Sequence, residues 1–247
     1  MSQLDIQIAA AKVAKYATGE SGDTLEVIER PRGGISLVLA DGQRSGKAAK
    51  SISNIVARKA VALLAEGVRD GAVARAAHDY LSAMRGGKVS ATLNIVSVDL
   101  ATETIVISRN SHCPTVIIRS GELVLLDDPS EPVGIHTWTK PLITELPLTP
   151  DIWIVAFTDG VMHAGRRRGM SLDVPGLVQE RLTREGTTAQ TLADTLLTTA
   201  VECDQGRPAD DISVVVVTVS PAPPDSDGVR RLSVGFPARV KRTFSHG

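Results

Sequence analysis

The sequence predicts an α+β domain, and three observations predict it. Strand-like segments arrive in runs instead of alternating with helices. Helix-like segments arrive in pairs. The most apolar strand-like segments are long enough to be central in a sheet. Such a pattern packs helices on sheets and does not wind βαβ units. The chain has 247 residues, 43% hydrophobic and 22% charged, which is enough apolar material for a sizeable core. Only 3% of residues are aromatic, so that core must be built from Ala, Val, Ile and Leu.

Taken in order, Leu4 to Ile8 alternates apolar and polar like a half-buried strand. Segments 26–29 and 34–40 flank Pro31-Arg32-Gly33-Gly34, a turn signal, and predict a hairpin. The second arm, Ile35 to Ala40, is apolar on both faces and ends at Asp41-Gly42. Ile52, Ile55, Val56, Ala60, Leu63 and Leu64 then recur at helical spacing, with Gly67 as a stop. Val73 to Met84 repeats that pattern and closes at Gly86-Gly87.

The period next changes to two. Segments 92–98, 104–108, 115–119 and 122–126 read as an antiparallel meander, and 142–146 reads as a further strand. Ile152 to Phe157 is a buried strand ending at Thr158-Asp159-Gly160. Helices are expected at 176–184 and at 189–202, the latter capped by Thr187 or Thr188. Ile212 to Val219 is the last core strand. A domain over 1–220 is expected, then a Pro-rich linker and a basic tail over 221–247. The tail reads as a solvated end more readily than as a dock for an acidic partner.

Lys plus Arg is 27 and Asp plus Glu is 28, a formal net charge of −1, which argues against a general nucleic-acid binder. No apolar run reaches the roughly 18 residues that span a bilayer, and the N-terminus lacks a signal-peptide pattern. Cys113 and Cys203 stand far apart, so a reducing cytoplasm is expected.

Three acidic positions share one context. Asp41, Asp159 and the Asp210-Asp211 pair each adjoin a strand apolar enough to be buried. Asp-Gly alone is commonly a turn. A carboxylate at the rim of a buried strand is costly unless compensated, and three converging would repel one another. Divalent cations reverse that problem, and an all-oxygen donor set suits Mn²⁺ or Mg²⁺ better than zinc. Gly42 to Ala48 is one residue short of a Walker loop, and Ala48 replaces its Ser or Thr. Phe157 stands where a haloacid-dehalogenase-like phosphatase needs a second Asp.

Six motifs occur in a fixed order: Ser21-Gly22-Asp23, Ala40-Asp41-Gly42 through Ala48, Asn110-Ser111-His112-Cys113-Pro114, Glu131-Pro132-Val133-Gly134, Thr158-Asp159-Gly160-Val161 and Asp210-Asp211-Ile212-Ser213. In that order the chain resembles the metal-dependent protein serine/threonine phosphatases of the 2C class, in their bacterial SpoIIE-type branch. The resemblance implies a central β-sandwich flanked by helices, with a centre of two Mn²⁺ or Mg²⁺ ions at its edge. By residue matching, Asp41 would bridge the ions, the Gly42 carbonyl would ligate one, and Asp159 and Asp210 would hold the other. Asp23 would be an acid on the opposite side, and Asp211 an orienting neighbour. Asp41, Asp159 and Asp210 would thus carry catalysis by metal-activated water.

Arg44 departs from the family, standing where a Gly is usual; it could reach a substrate phosphate or be a solvated surface residue. His112 is expected to stabilise its turn and His163 to be a surface neighbour. The resemblance further implies a cytoplasmic phosphatase acting on a phosphorylated STAS-domain regulatory protein, with no nucleic-acid or membrane partner. Because the catalytic pattern begins near residue 4, the stand-alone, RsbX-like stressosome type is the expected subtype. The alternative, supported by Arg44, is a weakly active or non-catalytic binding module on the same fold.

Overall fold

A computed structural model describes residues 3–223 and 228–235. Two five-stranded antiparallel sheets stack face to face. The first runs β1 (Leu4–Val13), β10 (Ile212–Pro221), β9 (Ile152–Phe157), β6 (Thr115–Arg119), β7 (Glu122–Leu126). The second runs β2 (Asp23–Glu29), β3 (Ile35–Gly42), β4 (Ala91–Asp99), β5 (Thr104–Asn110), β8 (Leu142–Pro147). Helices α1 (Gly46–Ala65) and α2 (Asp70–Arg85) cover the second sheet. Helices α4 (Val174–Leu182) and α5 (Ala189–Cys203) cover the first, and the single-turn α3 (Asp159–Met162) follows β9.

This layering explains the apolar runs. Successive side chains of a strand face opposite ways. Leu37 and Leu39 of β3 enter the layer between the sheets, where they join Ile105, Ile107, Ile154, Val215 and Val217. Val38 and Ala40 face α1 and α2. Val214 and Val216 of β10 face α5 in the same way. Both faces of these strands are dry, so their sequences lose the polar alternation of a solvated strand.

The single meander expected over 92–126 is corrected. Strands β4 and β5 pair in one sheet, whereas β6 and β7 pair in the other. The chain changes sheets at the 110–114 turn, leaving β5 to pair with β8 and β6 with β9. Buried Arg109 fixes this crossing by donating to the carbonyls of Cys113, Leu126 and Asp128. The helix expected at 176–184 begins at Val174 instead, because the Asp173 side chain accepts from Gly176 N and caps it. Thr188 caps α5 in a reciprocal capping box with Thr191. Of the linker and tail expected over 221–247, residues 224–227 and those beyond 235 lie outside the described residues. Nearer the domain, Arg230 contacts the Glu29 carboxylate at 3.3 Å and the Gly33 carbonyl at 3.0 Å.

An ion pair that carried no sequence signal locks the second sheet to α2. Arg30 Nη1 lies 3.2 Å from Asp70 Oδ2, with both side chains only 6% exposed. The same Nη1 lies 3.2 Å from the Ser36 and Ser97 hydroxyls, and Nη2 donates to the Val68 carbonyl at 3.2 Å. Removing one partner of such a pair strands a buried charge. Asp70→Ala is therefore expected to lower unfolding free energy by about 3–5 kcal/mol, read as a fall in the urea midpoint. A loss below about 1 kcal/mol would show the pair to be solvated.

Candidate metal centre

The acids gather at one end of the sandwich because four strand ends meet there. Asp41 is the next-to-last residue of β3 and Asp23 opens β2, and the register sets the two opposite each other. Asp159 follows β9 as the first residue of α3, and Asp210-Asp211 precede β10. Strands β9 and β10 are neighbours, with Phe157 paired to Val214, which brings the Asp159 and Asp210 turns together.

Each acid has a different environment. Burial pushes the Asp41 carboxyl up to about 9, and the charges of Asp23, Asp159 and Asp210 raise it further within that value. Asp23 is fully buried, and burial raises it to about 6, opposed by the Ser213 hydroxyl. Its Oδ2 accepts from Ser213 Oγ at 2.6 Å and Thr158 Oγ1 at 3.0 Å, while its Oδ1 is buried with no hydrogen-bond partner. Burial, then Asp210, raises Asp159. Asp210 is the most open of the four, at 41% side-chain exposure, with Lys15 Nζ 3.9 Å away.

Asp211 is engaged by backbone amides, though its charge still helps to raise Asp23. Its two oxygens accept Lys15 N and Gly22 N, both at 2.9 Å, pinning the 15–22 loop that leads into Asp23. Sequence reasoning missed Thr158 and Ser213. Thr158 Oγ1 accepts from Ser213 N at 3.0 Å and donates to Asp23, so the two hydroxyls tie β9, β10 and β2 around one carboxylate. The available signal was that a hydroxyl residue sits just before Asp159 and just after Ile212.

His112 and His163 both stand beside the centre. Their ring nitrogens lie 4.0 Å and 3.8 Å from Asp159 Oδ2. Two glycines permit the close packing. A Cβ on Gly42 would come 2.1 Å from the Ala49 carbonyl of α1, and one on Gly160 would come 2.0 Å from the Asp211 carbonyl.

Among the described residues, no three His, Cys, Asp or Glu side chains are arranged to hold an ion by themselves. A hard divalent cation does not require such a cage, since it commonly takes one or two carboxylates, a backbone carbonyl and several waters. The unpartnered Asp23 Oδ1 and the mutual repulsion at Asp41 are what a cation would relieve. The residues present fit a hard-cation centre.

Arg44 occupies the left-handed region at φ +82°, the conformation that a glycine adopts freely. A side chain there costs about 1–3 kcal/mol, part of which is returned by the stiffer unfolded chain. Arg44→Gly is therefore expected to raise the thermal midpoint modestly. An unchanged or lower midpoint would mean that the guanidinium repays the strain.

The profile of the family described as Stage II sporulation protein E matches residues 31–220. The chain belongs to the SpoIIE family. That places this SpoIIE-family domain among serine/threonine phosphatases of the 2C class. Solved structures share its fold. The 2C phosphatase domain of SpoIIE from Bacillus subtilis, with a fragment of its regulatory domain, superposes with a TM-score of 0.76 at 19% identity, covering 91% of this chain and 66% of that one. The catalytic domain of the serine/threonine phosphatase PstP, solved with two manganese ions, gives 0.68 at 18% identity, covering 88% and 100%. RsbX, solved with magnesium, gives 0.67 at 15% identity, covering 89% and 100%. No curated protein sequence matches the chain. Among the described residues, no helix is long and apolar enough to cross a membrane.

Proposed function

We propose that this chain is a metal-dependent phosphoserine/phosphothreonine protein phosphatase that acts on a phosphorylated STAS-type regulatory protein in the cytoplasm. The observation that carries this reading is Asp41. It is a half-buried carboxyl near the end of a central strand, beside three other acids, in a family of phosphatases. Asp41, the Gly42 carbonyl, Asp159 and Asp210 would hold two divalent cations, Mn²⁺ or Mg²⁺, with Asp23 on the far side. When bound, such cations supply an activated water and Lewis acidity toward the phosphoryl oxygens.

The chain's own residues do the positioning. Thr158 and Ser213 fix one oxygen of Asp23 and leave the other buried without a hydrogen-bond partner. Asp211 fixes the loop before Asp23, and the contact between Gly42 and Ala49 sets the height of Asp41 against α1. Arg44, three residues after Asp41, would meet a substrate phosphate with a fork of donors. No covalent enzyme intermediate is required. Cys113 is consistent with this, since it is buried and its thiol is pushed up to about 12 by that burial.

The test is phosphate release from phosphorylated STAS-domain proteins with Mn²⁺, with Mg²⁺ and with chelator. Metal-dependent turnover is expected. Stoichiometric binding without turnover would overturn this reading in favour of the non-catalytic module.

A further inference from the structure

We propose that the Arg166-Arg167-Arg168 turn is a docking surface for acidic residues flanking the phosphorylated side chain of the substrate protein; this rests on the phosphatase reading above. The chain carries almost balanced charge overall, yet three consecutive guanidiniums stand exposed on one short turn. A run of this kind is ordinarily a solvated face with carboxylates nearby. Here, among the described residues, none of the three pairs with a carboxylate; Arg168 donates only to the Cys203 carbonyl, at 3.4 Å. Three uncompensated like charges repel one another, and an acidic ligand would relieve that.

The turn is also hydrogen-bonded to the segments that carry Asp159 and Asp210. His163 N donates to the Asp159 carbonyl at 2.8 Å, and Arg166 N donates to the His163 carbonyl at 3.1 Å, so two successive turns lead from Asp159 to the first arginine. Gly165 and Gly169, both left-handed at φ +76° and +70°, bracket the three residues. The Asp204 carboxylate accepts Gly165 N at 2.9 Å through one oxygen and Ala209 N at 2.7 Å through the other. Ala209 precedes Asp210. One carboxylate therefore fastens the arginine turn to the loop that carries Asp210, fixing where the three charges stand relative to Asp159 and Asp210. A phosphoprotein that places its phosphate among the acids would lay neighbouring side chains against this turn.

The experiment compares two synthetic phosphoserine peptides of equal length, one flanked by Asp and Glu, the other by Gln and Ser. Binding is measured by fluorescence anisotropy on the full chain in chelator, and kcat/KM is measured separately with Mn²⁺. The wild type is expected to prefer the acidic peptide by about tenfold, as three exposed ion pairs allow, and to lose that preference as salt rises. In the triple variant Arg166→Gln, Arg167→Gln, Arg168→Gln the ratio between the two peptides should fall to near one. The triple lysine variant should keep part of it, and the circular dichroism melt reports whether each variant folds. Equal binding of both peptides by the wild type would overturn the proposal, as would a ratio that survives in the glutamine variant. Tighter binding of a single-stranded oligonucleotide than of the acidic peptide at the same salt would do so too. A preference in binding without turnover of either peptide would instead sink the phosphatase reading and leave the docking surface standing.

Discussion

Asp41→Ala is expected to reduce metal-dependent phosphate release by at least about a thousandfold, equivalent to about 4 kcal/mol of barrier. Asp41 is the acid on which the other charges converge, since Asp23, Asp159 and Asp210 all act on it. Its removal takes away the group best placed to attract cations to the strand end. The same substitution should stabilise the metal-free chain, because it deletes a carboxyl held in an environment that disfavours its charge. Asp41→Asn keeps the shape and removes the charge, and should give the same pair of outcomes. The measurement is phosphate release with Mn²⁺ beside the thermal midpoint in chelator. A variant that keeps activity within tenfold of wild type would mean that Asp41 is a turn residue only. A variant inactive but less stable in chelator would mean that it is a structural acid.

The opposition of a gain in stability to a loss of activity follows from where the acids lie, and much of that was legible before the structure. Asp41, Asp159 and Asp210 each adjoin a strand whose apolar run marks it as buried on both faces, and the two sheets covered by helices explain those runs. Asp23 was harder to place, because a strand beginning at Glu26 leaves it in a loop. Strand β2 in fact begins at Asp23, directly opposite Asp41, since Thr24 is held by Ser53 and Asn54 of α1. The alternation that marks β1 likewise ends at Ile8. Ala9, Ala10 and Ala11 break the alternation of polar and apolar types, but pairing with β10 continues to Val13.

The change of sheet after Asn110 was invisible for a different reason. Four short strands with tight turns read as one meander, and only the buried Arg109 clamp on distant carbonyls decides otherwise. The Arg30–Asp70 pair joins residues 40 apart and follows no local pattern. Local periodicity reports which faces are dry; it does not report which dry face meets which. That is why the strand-end acids could be nominated from sequence while the hydroxyls that orient Asp23 could not.

The metal-free chain is expected to lose stability as pH rises from about 4 to about 9, and divalent cations are expected to reverse that slope. The sign follows from two acids that the fold withdraws from water, Asp23 wholly and Asp41 in part. Asp41 titrates at about 9 and Asp23 at about 6 in the folded chain, against 3.8 for an ordinary aspartate. Between these values the folded state keeps protons that the unfolded state has released, so raising the pH favours unfolding. Below about pH 4 both states are protonated and the contribution is fully present; it is lost as pH climbs through 6 and then 9. Each pH unit in that window costs about 1.4 kcal/mol per group that remains protonated only when folded. Cation binding requires the deprotonated acids, so its affinity rises over the same window, and a ligand at a thousand times its Kd adds about 4 kcal/mol. The thermal midpoint in chelator should therefore fall between pH 5 and 8, while the increment given by saturating Mn²⁺ should grow. In Asp41→Asn both trends should flatten. A midpoint in chelator that rises with pH across this range would show that the acids are already ionised and compensated within the chain, and a cation centre would then have nothing to relieve.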